Sequence, residues 1–352
     1  MPNNVRTVLA DDSPFLREVL MDLLVSRGIE VAGCARNGKE AIQLVKELRP
    51  DVLVLDCEMP VMNGLEALKI IMEECPLPVF IFSSLSREGG AVTIKALELG
   101  AVDFLLKPLG GAHNMEAVAD ELISKIRLIA MKNKFGAYKR REPVSREDLS
   151  KSNLDGIAKR RVDIIAIGSS TGGVQAASEV LPKLPAEMKP IVWVQHMPPN
   201  FTKSFAERLD SMSKMHVVEA KNGDTLVDGT CYIAPGGFQM QVVKSASCAR
   251  LRVEGTDKVS GHCPSCNVLF DSVSQNYAEN SVGVIMTGMG DDGAQGLAKM
   301  HQRGAFVIGQ NERTCVVYGM PKSAATLGAV NIEVNLTDIP RAIEKVTGIG
   351  GA

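Results

Sequence analysis

A serine flanked by glycines stands between two segments of different periodicity, in the stretch DIIAIGSSTGGVQA at residues 163–176. An apolar, β-rich run ends at Gly168, and apolar residues recur at helical spacing from Val174 onward. A sharp turn between a strand and a helix lifts a serine hydroxyl clear of the sheet, and the N–H groups that open the helix can stabilise an oxyanion. Gly168-x-Ser170-x-Gly172 fits this nucleophile elbow, so Ser170 is the candidate nucleophile of a hydrolase.

Two other interpretations fit a Gly/Ser turn between a strand and a helix. A phosphate-binding turn of the dinucleotide type requires G-x-G-x-x-G, and Ser170 stands where the second glycine would be. The chain also contains no G-x-x-x-x-G-K-[ST] loop. The turn could instead connect the two elements without any chemistry, so the hydrolase hypothesis depends on finding a base and an acid elsewhere.

A serine nucleophile needs a histidine base within hydrogen-bond reach and an acid that fixes the tautomer of the imidazole. Of the five histidines, His196 is favoured because it follows a buried-type strand, PIVWVQH, at the place that matches Ser170. The segment SVGVIMTGMGDDG repeats the strand, the glycine-rich turn and the helix start, and it offers Asp291 or Asp292 as the acid. The order Ser, His, Asp differs from the Ser, Asp, His order of α/β-hydrolases, which predicts a different doubly wound sheet.

The first 130 residues place acidic residues, a serine and a lysine at the ends of predicted strands. Five strand candidates alternate there with helices, VRTVLA, EVAGCA, DVLVLD, PVFIFSS and AVDFLLK, which predicts a parallel sheet covered on both faces. Chemistry in such sheets gathers at the carboxyl ends of the strands, where Asp11, Asp12, Asp56, Ser83 and Lys107 stand. Three carboxylates together favour a shared Mg²⁺, and a lysine with a hydroxyl suits a phosphoryl group carried on a carboxylate.

Length and composition narrow the class of protein. A chain of 352 residues is long enough for two domains, and 45% hydrophobic with 23% charged residues is typical of a soluble globular protein. The net charge of −2 provides no basic field for nucleic acid or a membrane surface. We expect no signal peptide and no membrane insertion, and the scattered cysteines without disulfide spacing suit a reducing cytoplasm.

Residues 131–161 are basic and polar, with few core residues and a helix-breaking Pro143, which predicts a linker. The linker would join a domain at 1–130 to a second domain at 162–352. We therefore expect an α/β protein with two doubly wound domains. The first would be a five-stranded parallel sheet, and the second a mainly parallel α/β hydrolytic domain with a Ser-His-Asp triad.

Residues 5 to about 128 resemble a response-regulator receiver domain. The matching features are the Asp11-Asp12 pair, Asp56 followed by Met59-Pro60 and Asn63-Gly64, Ser83, and Lys107-Pro108. The resemblance implies that Asp56 accepts a phosphoryl group and that Asp11, Asp12 and Asp56 bind Mg²⁺. It further implies that Ser83 and Lys107 sense the phosphoryl group, that Phe104 occupies the aromatic switch position, and that the Lys107-Pro108 bond is cis.

Residues 162 to about 347 resemble the catalytic domain of the chemotaxis protein-glutamate methylesterases. The matching motifs are IGSSTGG, VQHMPPNFT, YIAPGG, LFDSV, MTGMGDDG and GQNERTCVVYGMP. The resemblance implies Ser170 as nucleophile, His196 as general base and acid, and Asp292, not Asp291, as the orienting acid. It also places Thr171 and Met289 at the site, with a backbone N–H near Met289 as a candidate oxyanion donor.

Together the two resemblances cover nearly the whole chain and imply a phosphorylation-regulated enzyme of chemotaxis. Its substrates would be glutamate methyl esters, and particular glutamines, on methyl-accepting chemoreceptors. A chemotaxis histidine kinase would be the phosphodonor, with Mg²⁺ for the receiver and no cofactor for the esterase. Three alternatives are a scaffold with an inactive hydrolase domain, a receiver-linked transcription factor and a nucleotide-binding oxidoreductase. The intact Ser/His/Asp set, the missing DNA-binding motif and the failed glycine fingerprint argue against them in turn.

Some positions depart from the pattern of the family. Gln239 stands where histidine is frequent, and Asn267 stands where aspartate is frequent. Cys263-Pro264-Ser265-Cys266 forms a C-x-x-C pair, which can indicate zinc or redox chemistry. One such pair cannot complete a four-ligand zinc site alone, although His262 is adjacent. These departures affect which residues we expect to contact the substrate, and they do not affect the predicted triad.

Overall fold

The computed structural model of the chain describes residues 5–84, 87–107, 112–134, 154–245 and 248–350. Contacts within the chain divide it into two compact units, residues 1–144 and residues 145–352. Among the helices that the structure describes, none is long and apolar enough to span a bilayer.

The first unit contains a parallel sheet of five strands with helices between them. The strands are β1 (Val5–Ala10), β2 (Ile29–Ala35), β3 (Val52–Asp56), β4 (Val79–Ser83) and β5 (Asp103–Leu106). The helices are α1 (Pro14–Ser26), α2 (Gly38–Leu48), α3 (Gly64–Glu74), α4 (Arg87–Glu98) and α5 (Ala112–Lys134). The strands are ordered β2-β1-β3-β4-β5 and all pairs are parallel, which confirms the predicted receiver-type sheet.

Local sequence signals explain why these elements form where they do. Every residue of β3 and β4 is buried, because strands covered by helices on both faces read as continuous apolar runs. Helix α1 begins at Pro14, and the hydroxyl of Ser13 caps it by accepting the N–H of Leu16 at 3.3 Å. The capped helix follows directly after the acidic residues at the end of β1.

The second unit contains a parallel sheet of seven strands and a separate antiparallel hairpin. The sheet strands are β6 (Ile164–Ser169), β7 (Ile191–Gln195), β8 (His216–Glu219), β9 (Thr230–Ile233), β12 (Ser281–Ile285), β13 (Phe306–Gln310) and β14 (Ile332–Val334), and the hairpin is β10 (Gln239–Lys244) with β11 (Ala249–Glu254). The helices are α6 (Gly173–Val180), α7 (Phe201–Met212), α8 (Cys266–Tyr277), α9 (Ala294–Gln302), α10 (Met320–Thr326) and α11 (Ile339–Thr347). The prediction of a second, mainly parallel α/β domain is confirmed.

The strand order of the second unit, β14-β13-β12-β6-β7-β9-β8, puts β6 at a turning point of the sheet. The chain moves outward from β6 through β7 on one side, and it returns to the other side of β6 through β12. Crevices outside the carboxyl ends of strands at such a point are where ligands bind in open α/β sheets. The carboxyl end of β6 therefore lies where the topology provides a binding site.

The predicted linker at residues 131–161 falls partly outside the described residues. Helix α5 continues through Lys134, so the linker segment begins as helix. From Leu154 onward the chain packs on the second unit, where Leu154 is 2% exposed and its carbonyl accepts a hydrogen bond from Lys345 at 3.2 Å. The N–H of Arg160 also donates to the carbonyl of Val346 at 2.8 Å. The bounds of the three predicted segments, 1–130, 131–161 and 162–352, stay predictions.

Candidate active site

The turn at Ser170 joins β6 to α6 in three residues. The N–H of Ser170 donates to the carbonyl of Thr287 at 3.0 Å, and the carbonyl of Ser170 accepts the N–H of Gly173 at 2.7 Å. Gly172 has a φ of +80°, and a Cβ added there would lie 2.6 Å from the side chain of Val316, so both the backbone conformation and the space require glycine. These contacts fix Ser170 in a tight, half-buried turn at the carboxyl end of β6.

The neighbouring Ser169 has a different environment. It is fully buried, its hydroxyl donates to Oε1 of Gln195 at 2.6 Å, and its own Oγ accepts from Nε1 of Trp193 at 2.9 Å. The amide of Gln195 donates in turn to the carbonyl of Ser170 at 2.9 Å. The Ser169 hydroxyl therefore both donates and accepts a hydrogen bond within the protein and stabilises the turn from its buried side. Ser170, in contrast, is half-buried.

His196 follows β7, the strand that pairs with β6. Ser169 is in register with Gln195, and the N–H of His196 donates to the carbonyl of Ser169 at 3.1 Å, so Ser170 and His196 follow paired positions. Nε2 of His196 lies 2.8 Å from Oδ2 of Asp292. Nδ1 is buried and has no hydrogen-bond partner among the described residues, so it is the ring nitrogen open to a hydroxyl proton.

Asp292 is 1% exposed. Its carboxylate accepts from Nε2 of His196, the hydroxyl of Ser265 and the N–H groups of Cys266 and Asn267 at 2.8, 2.7, 2.6 and 3.1 Å. Burial raises the pKa of Asp292, but the hydrogen bonds and the nearby imidazole outweigh it and hold the pKa below its ordinary value. The carboxylate is therefore charged at neutral pH. Asp291 is exposed, so of the two acids left open by the residues, the structure brings Asp292 to the histidine.

Three residues that hold Asp292 come from the start of α8 and were missed as site residues by the sequence analysis. Ser265, Cys266 and Asn267 present one hydroxyl and two backbone N–H groups to the carboxylate, as the N-terminus of a helix does for an anion. Gln239 holds the preceding loop, because its Oε1 accepts the N–H of Ser265 at 2.9 Å. Gln239 and Asn267, the two positions that depart from the family pattern, thus belong to the residues that hold Asp292, the first through Ser265 and the second directly.

The imidazole of His262 is a further missed neighbour. Its ring stacks on that of His196 with centroids 3.7 Å apart and an angle of 12° between the planes. The amide of Gln239 fixes the His262 backbone by donating to its carbonyl at 3.2 Å. His196 is thus held at its edge by Asp292 and on one face by His262.

The C-x-x-C pair separates into two environments. Cys263 and Cys266 are both free thiols, and Sγ of Cys263 lies 3.8 Å from the carbonyl of Gly255. Sγ of Cys266 is fully buried and lies 3.7 Å from Nε2 of His196. Burial raises the pKa of the Cys266 thiol well above its ordinary value, so the thiol is neutral beside the histidine.

Thr171 follows Ser170 in the turn, and Met289 follows Gly288, which lies beside Ser170. Thr171 is 2% exposed, and its carbonyl accepts from the hydroxyl of Thr287 at 2.9 Å. A Cβ added to Gly288 would lie 2.9 Å from the Cβ of Ser170, so the peptide that links Gly288 to Met289 runs beside the serine. The role of a backbone N–H in this segment as oxyanion donor stays a prediction.

The acidic strand ends of the first unit meet as predicted. Asp11, Asp12 and Asp56 bring carboxylate oxygens within 4.8 Å of one another, and the first and third of these residues are buried. Nζ of Lys107 lies 2.9 Å from Oδ2 of Asp11 and 2.7 Å from Oδ2 of Asp56. Burial raises the pKa of Asp56 to about 6, against the opposing effects of Lys107 and the N–H of Glu58.

Ser83 and Phe104 lie on the strands beside this cluster. Ser83 ends β4 and is 3% exposed, and its hydroxyl oxygen accepts from Oγ1 of Thr93 on α4 at 2.6 Å. Phe104 on β5 is buried. The predicted cis bond before Pro108 lies outside the described residues.

Known families match both units. A family described as "CheB methylesterase" matches residues 165–343, and one described as "Response regulator receiver domain" matches residues 7–119. A relative from Archaeoglobus fulgidus, named "Protein-glutamate methylesterase/protein-glutamine glutaminase", is 43% identical over 327 residues and covers 93% of each chain. The chain belongs to the CheB methylesterase family.

Other members agree with this assignment over nearly the full length. A relative of the same name from Agrobacterium fabrum is 45% identical over 346 residues, which cover 97% of this chain and 96% of that one. Among solved structures, the Thermotoga maritima CheB methylesterase catalytic domain aligns with a TM-score of 0.51 at 40% identity. That alignment covers 53% of this CheB family chain and 99% of the Thermotoga domain.

Proposed function

We propose that this CheB family member hydrolyses γ-glutamyl methyl esters on chemoreceptors, releasing methanol, and deamidates particular receptor glutamines by the same acyl chemistry. The names of full-length relatives at 43% and 45% identity support the substrate class. One observation carries the mechanism: the His196–Asp292 hydrogen bond of 2.8 Å next to the turn that presents Ser170.

In the first step, Ser170 attacks the ester carbonyl while His196 takes the hydroxyl proton. The charged Asp292 carboxylate accepts a hydrogen bond from Nε2 of His196. The neutral imidazole therefore carries its proton on Nε2 and offers the lone pair of Nδ1. The ring is thus used in the opposite sense to the serine-protease triad, in which Nδ1 faces the acid. As the ring becomes an imidazolium, the Asp292 carboxylate stabilises the new charge.

In the second step, methanol leaves with the proton from His196, and an acyl-enzyme remains on Ser170. Water then enters, gives its proton to His196 and releases the receptor glutamate. A backbone N–H near Met289 stabilises the oxyanion of both tetrahedral intermediates, because this peptide runs beside the serine. Thr171 completes the wall of the site. For a glutamine substrate the leaving group is ammonia, and the same residues act in the same order.

In the receiver, Asp56 accepts a phosphoryl group from a chemotaxis histidine kinase. The oxygen-only set of Asp11, Asp12 and Asp56 fits Mg²⁺, because carboxylate oxygens are the ligands that this hard cation prefers. Bound Mg²⁺ would supply charge neutralisation for the incoming phosphoryl group. Lys107 already contacts two of these carboxylates and would pair with the phosphoryl oxygens, and Ser83 would exchange its hydrogen bond with Thr93 for one to phosphate.

Phosphorylation then regulates the hydrolase, with the receiver restraining it in the absence of phosphate. A phosphoryl group adds roughly 1.5 to 2 negative charges, which shifts the region of Ser83 and Phe104 between two packings. A change from 1% to 99% active would require about 5.5 kcal/mol, so a partial shift is expected. The enzyme acts in the cytoplasm on receptors and requires neither nucleic acid nor insertion into the membrane.

Methanol release from methylated receptor membranes tests this function. The full chain should release labelled methanol, and a small-molecule phosphodonor with Mg²⁺ should raise the rate. Asp56→Asn should keep the basal rate and lose the increase. Removing residues 1–144 should raise the basal rate. Two results would contradict the proposed restraint. One is a phosphodonor that accelerates the wild type and Asp56→Asn equally, and the other is a truncated chain no faster than the unphosphorylated full chain. No methanol release at all would contradict the esterase function.

A further inference from the structure

The side chain of Cys266 makes a contact that the hydrolase mechanism does not use. Its Sγ lies 3.7 Å from Nε2 of His196, the nitrogen that is also 2.8 Å from Oδ2 of Asp292. One ligand atom from each of the three residues lies within 4.8 Å of the others. Thiolate, imidazole and carboxylate are the three ligand types that bind zinc in proteins.

We propose that Cys266, His196 and Asp292 bind a borderline-soft divalent cation such as Zn²⁺, and that the bound ion reversibly inactivates the hydrolase. Zinc bonds of about 2.0 Å to nitrogen and about 2.3 Å to sulfur together exceed the 3.7 Å between Nε2 and Sγ, so one ion can reach both atoms where they stand. The 2.8 Å between Nε2 and Oδ2 must widen by about half an ångström for a tetrahedral angle. Water would complete the fourth position.

The ion would inactivate the site because it takes over the atoms that orient the base. It replaces the proton on Nε2 and occupies Oδ2 of Asp292, so His196 carries a cation and can no longer accept the Ser170 proton through Nδ1. Binding releases two protons to solvent, one from Nε2 and one from the thiol. The buried thiol resists this loss, but a coordinating thiol is deprotonated by the metal itself. We therefore expect weaker binding than at a four-ligand structural zinc site.

The C-x-x-C pair does not bind the ion as a pair in this arrangement. Cys263 faces the carbonyl of Gly255 instead of the triad, so it provides a matched control three residues from Cys266. The receiver carboxylates form a second possible cation site, but they offer only oxygen ligands. Excess Mg²⁺ in the assay occupies that site and leaves the sulfur-containing site to zinc.

Zinc inhibition of methanol release in the full chain provides the first test. Zinc chloride is titrated in excess Mg²⁺, and a chelator should restore the rate. Cys266→Ala keeps the backbone N–H to Asp292 but removes the sulfur, so the zinc concentration for half-inhibition should rise by at least about tenfold relative to that variant's own uninhibited rate. Cys263→Ala should inhibit like the wild type. Equal sensitivity of Cys266→Ala and the wild type, or an equal rise in Cys263→Ala, would overturn the proposal.

Cobalt spectroscopy tests binding without any turnover, so its outcome is independent of the proposed esterase function. Co²⁺ added to full-length Ser170→Ala should give the thiolate-to-cobalt charge-transfer absorption of a tetrahedral site. The band should persist in Ser170→Ala with Cys263→Ala and disappear in Ser170→Ala with Cys266→Ala. A band that survives the loss of Cys266, or no band in Ser170→Ala, would overturn the assignment of the ligands.

Discussion

Replacing Asp292 by asparagine removes one charge from a side chain that is 1% exposed and leaves its size nearly unchanged. The Asp292 carboxylate accepts four hydrogen bonds, two on each oxygen. An asparagine amide accepts only on its oxygen, because its NH₂ group is a donor. If its NH₂ group faces His196, it opposes the N–H of Cys266, and the histidine must move its proton to Nδ1. If its oxygen faces His196, the tautomer is kept, but the NH₂ group opposes the N–H of Asn267 and the negative charge is lost.

Both orientations slow the reaction. The wrong tautomer costs about 10⁴ in kcat in a serine-protease triad. Loss of the charge alone removes about 4 kcal/mol of imidazolium stabilisation, for charges about 4 Å apart at an effective dielectric constant of about 20, which is about 10³ in rate. We therefore expect Asp292→Asn to lower kcat by about 10³ to 10⁴. The opposed N–H group should also lower the free energy of unfolding by about 1–3 kcal/mol.

Steady-state methanol release, with denaturant unfolding of the same samples, measures both effects. Asp291→Asn is the matched control, because this neighbouring carboxylate is exposed and its loss should change kcat by no more than about twofold. If Asp292→Asn stayed within tenfold of the wild type, or if Asp291→Asn were the more damaging change, the assignment of the acid would be wrong.

Three further predictions follow from the burial and contacts of single residues. Ser170→Ala should lower kcat by on the order of 10⁴ to 10⁶, whereas Ser169→Ala should keep most of the activity. Ser169→Ala should instead lower the free energy of unfolding by about 1–3 kcal/mol, since the buried indole N–H of Trp193 loses its acceptor. Equal losses of kcat in Ser169→Ala and Ser170→Ala would refute the assignment of Ser170 as the nucleophile. His262→Ala should lower kcat and His262→Phe should recover part of it, because a flat ring again supports the catalytic imidazole. Equal kcat values in His262→Ala and His262→Phe would exclude stacking as the reason. Asp56→Asn should raise the free energy of unfolding at pH 7 by up to about 3 kcal/mol, because a folded pKa of about 6 makes the ionised form costly. That gain should shrink as the pH falls from 6 to 4, where Asp56 binds its proton in the folded wild type, and denaturant melts with no difference at pH 7 would contradict it.

The strands of the first unit could be predicted because each is an apolar run bounded by polar turns, and all five lie within two residues of the expected bounds. Ser170 and His196 could be placed by the same local rule, which puts chemistry at the carboxyl ends of parallel strands. The rule does not depend on knowing the strand order. The order of the seven-stranded sheet, and the hairpin beside it, depend on packing between distant segments and carry no comparable local pattern.

The support of the acid could not be predicted from the residues. Asp291 and Asp292 share one turn, and the residues alone do not show which of them faces the start of α8. Cys266 has a sequence neighbour in Cys263 that suggested a paired role, yet its contact in space is His196, 70 residues away. Only the packing of α8 against the sheet brings these side chains together.

Covalent labelling of the nucleophile tests most directly whether Ser170 is the activated serine. A fluorophosphonate reagent reacts with a serine that has an activated hydroxyl, and mass spectrometry of the digested full chain locates the adduct. We expect one adduct, on Ser170, with loss of methanol release in proportion to labelling, and little labelling in His196→Ala. An adduct on Ser169 or on another residue, or methylesterase activity that survives complete labelling of Ser170, would contradict it.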